Sequence, residues 1–257
     1  MTTRDGTLYL DLLKKVLTNV IYEDAPVPWW GDPDYDSVNR RMGLDCPTAA
    51  HTMVGMERLD NVQFCVERVL ADGVPGDLIE TGVWRGGVCI LMRAILRAHG
   101  VHDRKVWVAD SFQGVPVTDA DSHPLDQEMA LHKINSVLSI PAEEVRANFK
   151  RYELLDEQVE FLEGWFRDTL PGAPIDTLAV MRLDGDLYES TVDALTSLYP
   201  KLSPGGFVII DDYNIAPCRK AVHEYRREHG IDDKIVPIDL SGVYWRKESP
   251  AVTPERP

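Results

Sequence analysis

Two acidic stretches carry the residues best suited to chemistry. Met181-Arg182-Leu183-Asp184-Gly185-Asp186-Leu187-Tyr188 and Gly205-Gly206-Phe207-Val208-Ile209-Ile210-Asp211-Asp212-Tyr213 each run from apolar residues into paired acids. If both runs are strands lying side by side, Asp184, Asp186, Asp211 and Asp212 converge at one edge of a crevice. Carboxylates that close repel by about 4 kcal/mol per pair at about 4 Å in an effective dielectric of about 20. A positive group must therefore sit among them. An all-oxygen donor set without His or Cys suits a hard cation, Mg2+ or Ca2+, rather than zinc. Mg2+ also keeps waters that substrate hydroxyls can replace. The competing use of such acids is to cap the helices that follow them.

A second constellation is Glu80-Thr81-Gly82-Val83-Trp84-Arg85-Gly86-Gly87, with Asp110 ending the next apolar run, VWVAD. The glycines let the backbone turn and approach a ligand, and the following helix offers its N-terminal amides there. A carboxylate at Asp110 can accept both hydroxyls of a ribose. A dinucleotide site would want G-x-G-x-x-G with amides free for pyrophosphate. Here an acid, Glu80, precedes the first glycine, which disfavours pyrophosphate and favours the amino and sulfonium charges of S-adenosylmethionine. A plain tight turn is the alternative reading.

The elements that would position these groups follow from apolar periodicity. Leu8 to Ile21 is spaced as one helical face, and Thr48 to Leu70 again reads as a helix, ending at Asp72-Gly73. Between them, Asp24 to Pro47 is rich in Pro, Asp and Gly, so no long element is expected, and Trp29 and Trp30 could either cover a ligand or anchor the loop. Beyond Pro75-Gly76 the pattern changes. Buried strands are expected at Leu78–Ile79, Val106–Ala109, Val159–Leu162, Leu178–Leu183 and Phe207–Ile210, alternating with helices at Val88–Ala98, Glu143–Tyr152, Ser190–Tyr199 and Cys218–His229. This alternation implies right-handed crossovers and a doubly wound parallel sheet, whose ligand crevice lies outside the strands' carboxyl ends. Lys234–Ile238 and Val243–Trp245 could add a terminal hairpin, and the tail SPAVTPERP is expected to fray. The expected organisation is a helical cap and lid over residues 1–72, a catalytic domain over 73–248 and a flexible tail at 249–257.

Taken together, ETGVWRGG, VADSFQG, RLDGDLYEST and LSPGGFVIIDDY resemble the macrocin and mycinamicin family of deoxysugar O-methyltransferases, which includes the aminocoumarin novobiose enzyme. The likeness runs from LYLDLLKKVLTNVIYEDA through PTAAHTMVGMERL to GVYWR, nearly the whole chain. It implies an α/β class I methyltransferase fold, a Rossmann-like doubly wound, mostly parallel seven-stranded sheet with an N-terminal helical cap. It also implies S-adenosylmethionine as methyl donor, Mg2+ as cofactor and a glycosylated natural product as acceptor, in antibiotic biosynthesis. Carried over residue by residue, it implies metal ligation by Asp184, Asp211 and Asp212, with Asp186 as general base. Donor contacts are implied for Thr52, Met53, Glu80, Thr81, Gly82, Trp84, Asp110, Ser111, Gly164, Trp165 and the metal ligand Asp184. Residues 24–47 and 116–141 match the family's variable, acceptor-facing regions, which leaves a macrolide, an enediyne or another scaffold bearing a rhamnose-like sugar equally admissible. The likeness further implies a homo-oligomer, dimer or tetramer, built through the N-terminal helices.

A sugar hydroxyl is a weak acid, so transfer needs a metal that lowers its pKa and a base that takes its proton. Asp186 serves as that base only if it stays off the metal or binds it weakly. His51, His123 and His132 are rival bases, since an imidazole titrates near ~6.5. Arg85 and Arg182 either balance the acids, bind the donor carboxylate or form ordinary ion pairs. A catechol-type methyltransferase shares the same plan with an aromatic diol as acceptor, and a donor-binding module without catalysis is the non-enzymatic alternative.

Composition sets the outer bounds. The 257 residues carry 27 Lys and Arg against 42 Asp and Glu, a formal net charge of −15, which argues against nucleic acid as a partner. No apolar run approaches the ~20 residues that span a bilayer, and the charged start MTTRDGTLYLDLLKK does not suit a signal peptide, so the cytoplasm is the expected compartment. Cys46, Cys65, Cys89 and Cys218 form no CxxC or Cys/His cluster and are read as packing residues.

Overall fold

The computed structural model describes residues 4–28 and 33–248. Helices α1 (Arg4–Leu17), α2 (Ser37–Met42) and α3 (Met56–Ala71) precede the first strand, β1 (Asp77–Thr81). After it come α4 (Gly87–Ala98), β2 (Val106–Asp110), the short helices α5 (Pro124–Met129) and α6 (Asn135–Leu138), then α7 (Ala142–Arg151) and β3 (Val159–Glu163). The chain continues through α8 (Phe166–Thr169), β4 (Leu178–Leu183), α9 (Tyr188–Leu198), β5 (Leu202–Ile210) and α10 (Ala216–Glu228), and closes on β6 (Val236–Pro237) and β7 (Val243–Arg246).

The seven strands form one sheet in the order β3-β2-β1-β4-β5-β7-β6. The first five are parallel, and β7 runs antiparallel to both β5 and β6. The expected alternation of strand and helix and the terminal hairpin are therefore both present. Alternate side chains serve opposite faces, as a period of two requires. Leu78, Val180 and Ile209 join α1, α3 and α4 in one apolar core, whereas Ile79, Met181 and Ile210 join α9 and α10 in a second. The strand order reverses between β1 and β4, and that switch point opens the crevice in which such folds bind ligands.

The N-terminal region departs from its periodicity. Helix α1 ends at Leu17 rather than near Ile21, because the Thr18 hydroxyl donates to the Lys14 carbonyl and Asn19 turns to a φ of 54°. Its buried row is Leu10, Leu13 and Leu17, while Leu8 and Leu12 remain 60% and 55% exposed. Helix α3 starts at Met56, not Thr48, since the amides of His51 and Thr52 donate to Leu17 O and that of Val54 to Thr52 Oγ1, outside any helical ladder. Residues 24–47 hold only the short α2 as regular structure among those described, organised around a buried Arg40 that ion-pairs with Asp24 and Asp45. Trp29, Trp30 and the tail 249–257 lie outside the described residues. All four cysteines are free and buried, consistent with packing. No helix among the described residues is long and apolar enough to cross a membrane.

Candidate active site

A cavity of about 900 Å³ opens at the carboxyl ends of β1, β2, β4 and β5 and is roofed by residues of the 114–138 segment. The turn after β1 forms one wall. Gly82 has a φ of 80°, and a Cβ there would stand 1.7 Å from Asp184 O, so only glycine lets β1 and β4 come this close. Glu80 is buried, with Oε1 paired to Arg182 and Oε2 accepting from Cys89 Sγ at 2.9 Å. Burial pushes its pKa up to about 7 against the pull of Arg182.

Asp110 ends β2 with Oδ2 accepting from Val83 N at 2.7 Å and Oδ1 from Phe112 N at 2.8 Å, which locks the turn after β1 onto β2. Burial raises its pKa, and these backbone amides oppose the rise. Ser111 Oγ donates to Gly114 O, and Trp84 Nε1 donates to Val137 O at 2.9 Å.

The acids of β4 and β5 form the opposite wall. Asp184, Asp211 and Asp212 each present one carboxylate oxygen within 4.8 Å of the others. Both oxygens of Asp211 are held by guanidinium groups, Oδ1 by Arg182 and Oδ2 by Arg58 at 2.5 Å. Burial would raise the pKa of Asp211, but these two cations outweigh it and hold it below the ordinary range. Asp184 rises to about 6 through burial and the charge of Asp211, although Arg182 opposes the rise. Asp212 accepts from Asp186 N at 3.0 Å and lies well above the carboxylate range, through burial and the neighbouring Asp186, Asp184 and Asp211. Asp186 is raised to about 7 by burial and by Asp184 and Asp211, and it sits at a φ of 55°.

Of the residues expected at the site, Thr52, Met53, Glu80, Gly82, Trp84, Asp110, Ser111, Trp165 and the acids Asp184, Asp186, Asp211 and Asp212 all line this one cavity. Thr81 and Gly164 stand behind it. The carbonyl of Thr81 accepts from Asp184 N, and Gly164 N donates to Asp110 O. His51, His123 and His132 are not among the lining residues. His51 instead contacts the Tyr152 hydroxyl at 2.6 Å, and burial, with Arg151 and Arg85 nearby, lowers it to about 4. Arg182 emerges as the counter-ion of Glu80, Asp184 and Asp211, a role signalled by a lone Arg inside the apolar run LAVMRL. Arg58 was not foreseen, since one arginine on a helix carries no sequence signal.

The donor set fits a hard dication. Five carboxylates, those of Glu80, Asp184, Asp186, Asp211 and Asp212, share the wall with two guanidinium groups, and Asp212 has no cationic partner among the described residues. An uncompensated acid of this kind is what a bound cation would stabilise.

Comparison with known proteins places the molecule. Residues 26–247 match the family model described as macrocin-O-methyltransferase. The chain belongs to that O-methyltransferase family. It is 66% identical over 249 residues to an 8-demethyl-8-(2,3-dimethoxy-α-L-rhamnosyl)-tetracenomycin-C 4′-O-methyltransferase of Streptomyces olivaceus, covering 96% of this chain and 95% of that protein. It is 59% identical to the demethyldecarbamoylnovobiocin O-methyltransferase of Streptomyces niveus, covering 96% and 95%. To the mycinamicin III 3″-O-methyltransferase of Micromonospora griseorubida it is 57% identical, covering 94% and 97%. The solved structure of the O-methyltransferase NovP superposes with a TM-score of 0.92 at 58% identity, covering 95% of this chain and all of that one. A calicheamicin methyltransferase structure, 21% identical with a TM-score of 0.56 over 96% of this chain and 94% of that one, shares the fold.

Proposed function

We propose that this enzyme moves the methyl group of S-adenosylmethionine to a hydroxyl of a rhamnose-like deoxysugar on a glycosylated natural product. The observation that carries the reading is the convergence of Asp184, Asp211 and Asp212 to within 4.8 Å, beside Asp186 and opposite the Gly82 turn in one cavity. The relatives named above support the acceptor class, since the name of one specifies a rhamnosyl-bearing tetracenomycin and that of another a mycinamicin.

In this reading the turn after β1, with Trp84, Asp110 and Ser111, holds the donor, and Asp184, Asp211 and Asp212 hold Mg2+. Bound there, Mg2+ supplies the Lewis acidity that lowers the pKa of a sugar hydroxyl. Asp186 takes the proton of the attacking hydroxyl as the new C–O bond forms and the C–S bond breaks, its electron pair staying on sulfur. Residues 1–72 form the cap and 73–248 the catalytic unit, working as a homo-oligomer in the cytoplasm, and light scattering of the purified chain tests the oligomeric state.

The decisive experiment is mass spectrometry of a panel of rhamnosylated acceptors incubated with donor, with and without chelator. Methylated glycoside that disappears with chelator and returns with Mg2+ is expected. Faster methylation of a bare catechol, chelator-resistant transfer, or donor binding without turnover of any acceptor each overturns part of the reading.

A further inference from the structure

The roof of the cavity is fastened to the wall that carries Asp186. Asp126 of α5 is 1% exposed, and its two oxygens accept from the first two amides of α9, Oδ1 from Tyr188 N at 2.7 Å and Oδ2 from Glu189 N at 3.1 Å. A helix leaves its first amides without internal partners, and its own N-cap position here is Leu187, which has no side chain that can accept. The cap is therefore supplied from another segment, 62 residues earlier in the chain. Two further contacts reinforce it. His123 N donates to Glu189 Oε1 at 2.8 Å, and the His123 ring stacks on Tyr188 with centroids 3.9 Å apart.

What lies next to this fastening gives it a consequence. Asp186 precedes Tyr188 by two residues, and on its other side its amide donates to Asp212 Oδ2. The loop Asp184–Leu187 thus spans two anchors, one on the acidic wall and one on the roof. Its left-handed φ at Asp186 is a costly conformation for a residue with a Cβ, and it persists only where neighbours over-determine it.

We propose that Asp126 is a positioning residue that couples the seating of the 114–138 segment over the acceptor to the placement of Asp186. The inference rests on Asp186 being the base. With the roof seated, the Asp126 carboxylate closes the first turn of α9 and fixes the loop. With it lifted, the amides of Tyr188 and Glu189 lose their acceptors and Asp186 is free to leave its strained conformation. Acceptor binding is in this way made to assemble the base, and the same segment also reaches the donor wall through Gly114 O, which accepts from Ser111 Oγ, and Val137 O, which accepts from Trp84 Nε1.

Asp126→Ala and Asp126→Asn, with Glu189→Gln and His123→Ala as milder cuts of the same fastening, test this. Hydrogen exchange on the whole protein without acceptor provides a readout that does not depend on transfer. Amides of 186–190 and 114–138 are expected to exchange at least tenfold faster in both Asp126 variants, while β1 and β4 stay as protected as in the wild type. In turnover at saturating donor, kcat is expected to fall tenfold or more, and Asp126→Glu should recover part of it. Unchanged exchange at Tyr188 and Glu189, or faster exchange spread evenly over the sheet, overturns the coupling. If exchange responds as expected but no glycoside is methylated even by the wild type, the fastening stands and the proposed function fails.

Discussion

The pairing of acids with arginines decides how each residue of the site can be tested. Asp186→Asn removes the group proposed to accept the hydroxyl proton while keeping its size. A drop in kcat of about 10²–10⁴ with donor affinity unchanged is expected, the usual worth of a positioned general base. Unchanged turnover in steady-state kinetics would remove Asp186 from the mechanism. Arg182 is fully buried against Glu80, Asp184 and Asp211, so Arg182→Met strips the counter-ion from the buried Glu80 and Asp211 and from the partly exposed Asp184. A loss of about 3–5 kcal/mol in urea denaturation is expected, as for other buried pairs that lose one partner. His51 offers a pH test. Its pKa is depressed to about 4, and an unfolded imidazole titrates near ~6.5, so the unfolded chain binds a proton that the native one refuses. Stability contributed in this way is intact above ~6.5 and falls as pH drops toward 4. In His51→Gln that part of the acid-side loss should vanish, measured as urea midpoints near neutrality and near pH ~5; identical pH dependence in both proteins would refute it. The acids were legible in the sequence because each sits where an apolar run stops. Arg58 and Asp126 were not, because their partners lie 153 and 62 residues away and no local pattern marks a contact of that span.

At the scale of elements, the close approach of β1 and β4 is the sharpest constraint. Gly82→Ala would drive a methyl group into the Asp184 carbonyl and require a left-handed backbone at alanine. A loss of about 3 kcal/mol or more is expected, with donor binding abolished, by calorimetric titration of whatever folds. Wild-type stability in that variant would mean that the switch point can widen freely. Strands and helices beyond Pro75 follow the expected periodicity closely, since both faces of the sheet are covered and the strands read as apolar runs. The N-terminal helices follow it less well. Helix α1 buries one narrow row, so its apolar residues outnumber its buried ones, and the stretch before α3 donates its amides to Asp24, Ala25, Leu17 of α1 and the Thr52 hydroxyl in place of a helical ladder.

For the whole molecule, the net charge of −15 adds a long-range field to the local one at the acidic wall. Raising ionic strength from about 0.01 M to about 0.1 M shortens the screening length from about 30 Å to about 10 Å. The affinity for Mg2+ measured by calorimetry should fall several-fold over that range; a flat response would confine the attraction to the three aspartates alone. The fold class was legible from the alternation of strands and helices, and the acceptor was not, because residues 116–141 that roof its cavity lack the periodicity that marks a core.

The arginine at the centre of the acidic wall sets an order of events. A guanidinium does not give up its proton on burial as an ammonium does, so Arg182 stays charged and pairs with Glu80 and Asp211 from the moment the strands pair. The polypeptide can finish folding while free of metal, with three of its five acids already in ion pairs with Arg182 and one of these, Asp211, also with Arg58. Under the proposed role of Mg2+, maturation is then a docking event on a finished scaffold, and the chain purified in chelator should unfold as cooperatively as the chain supplied with Mg2+ while failing to methylate.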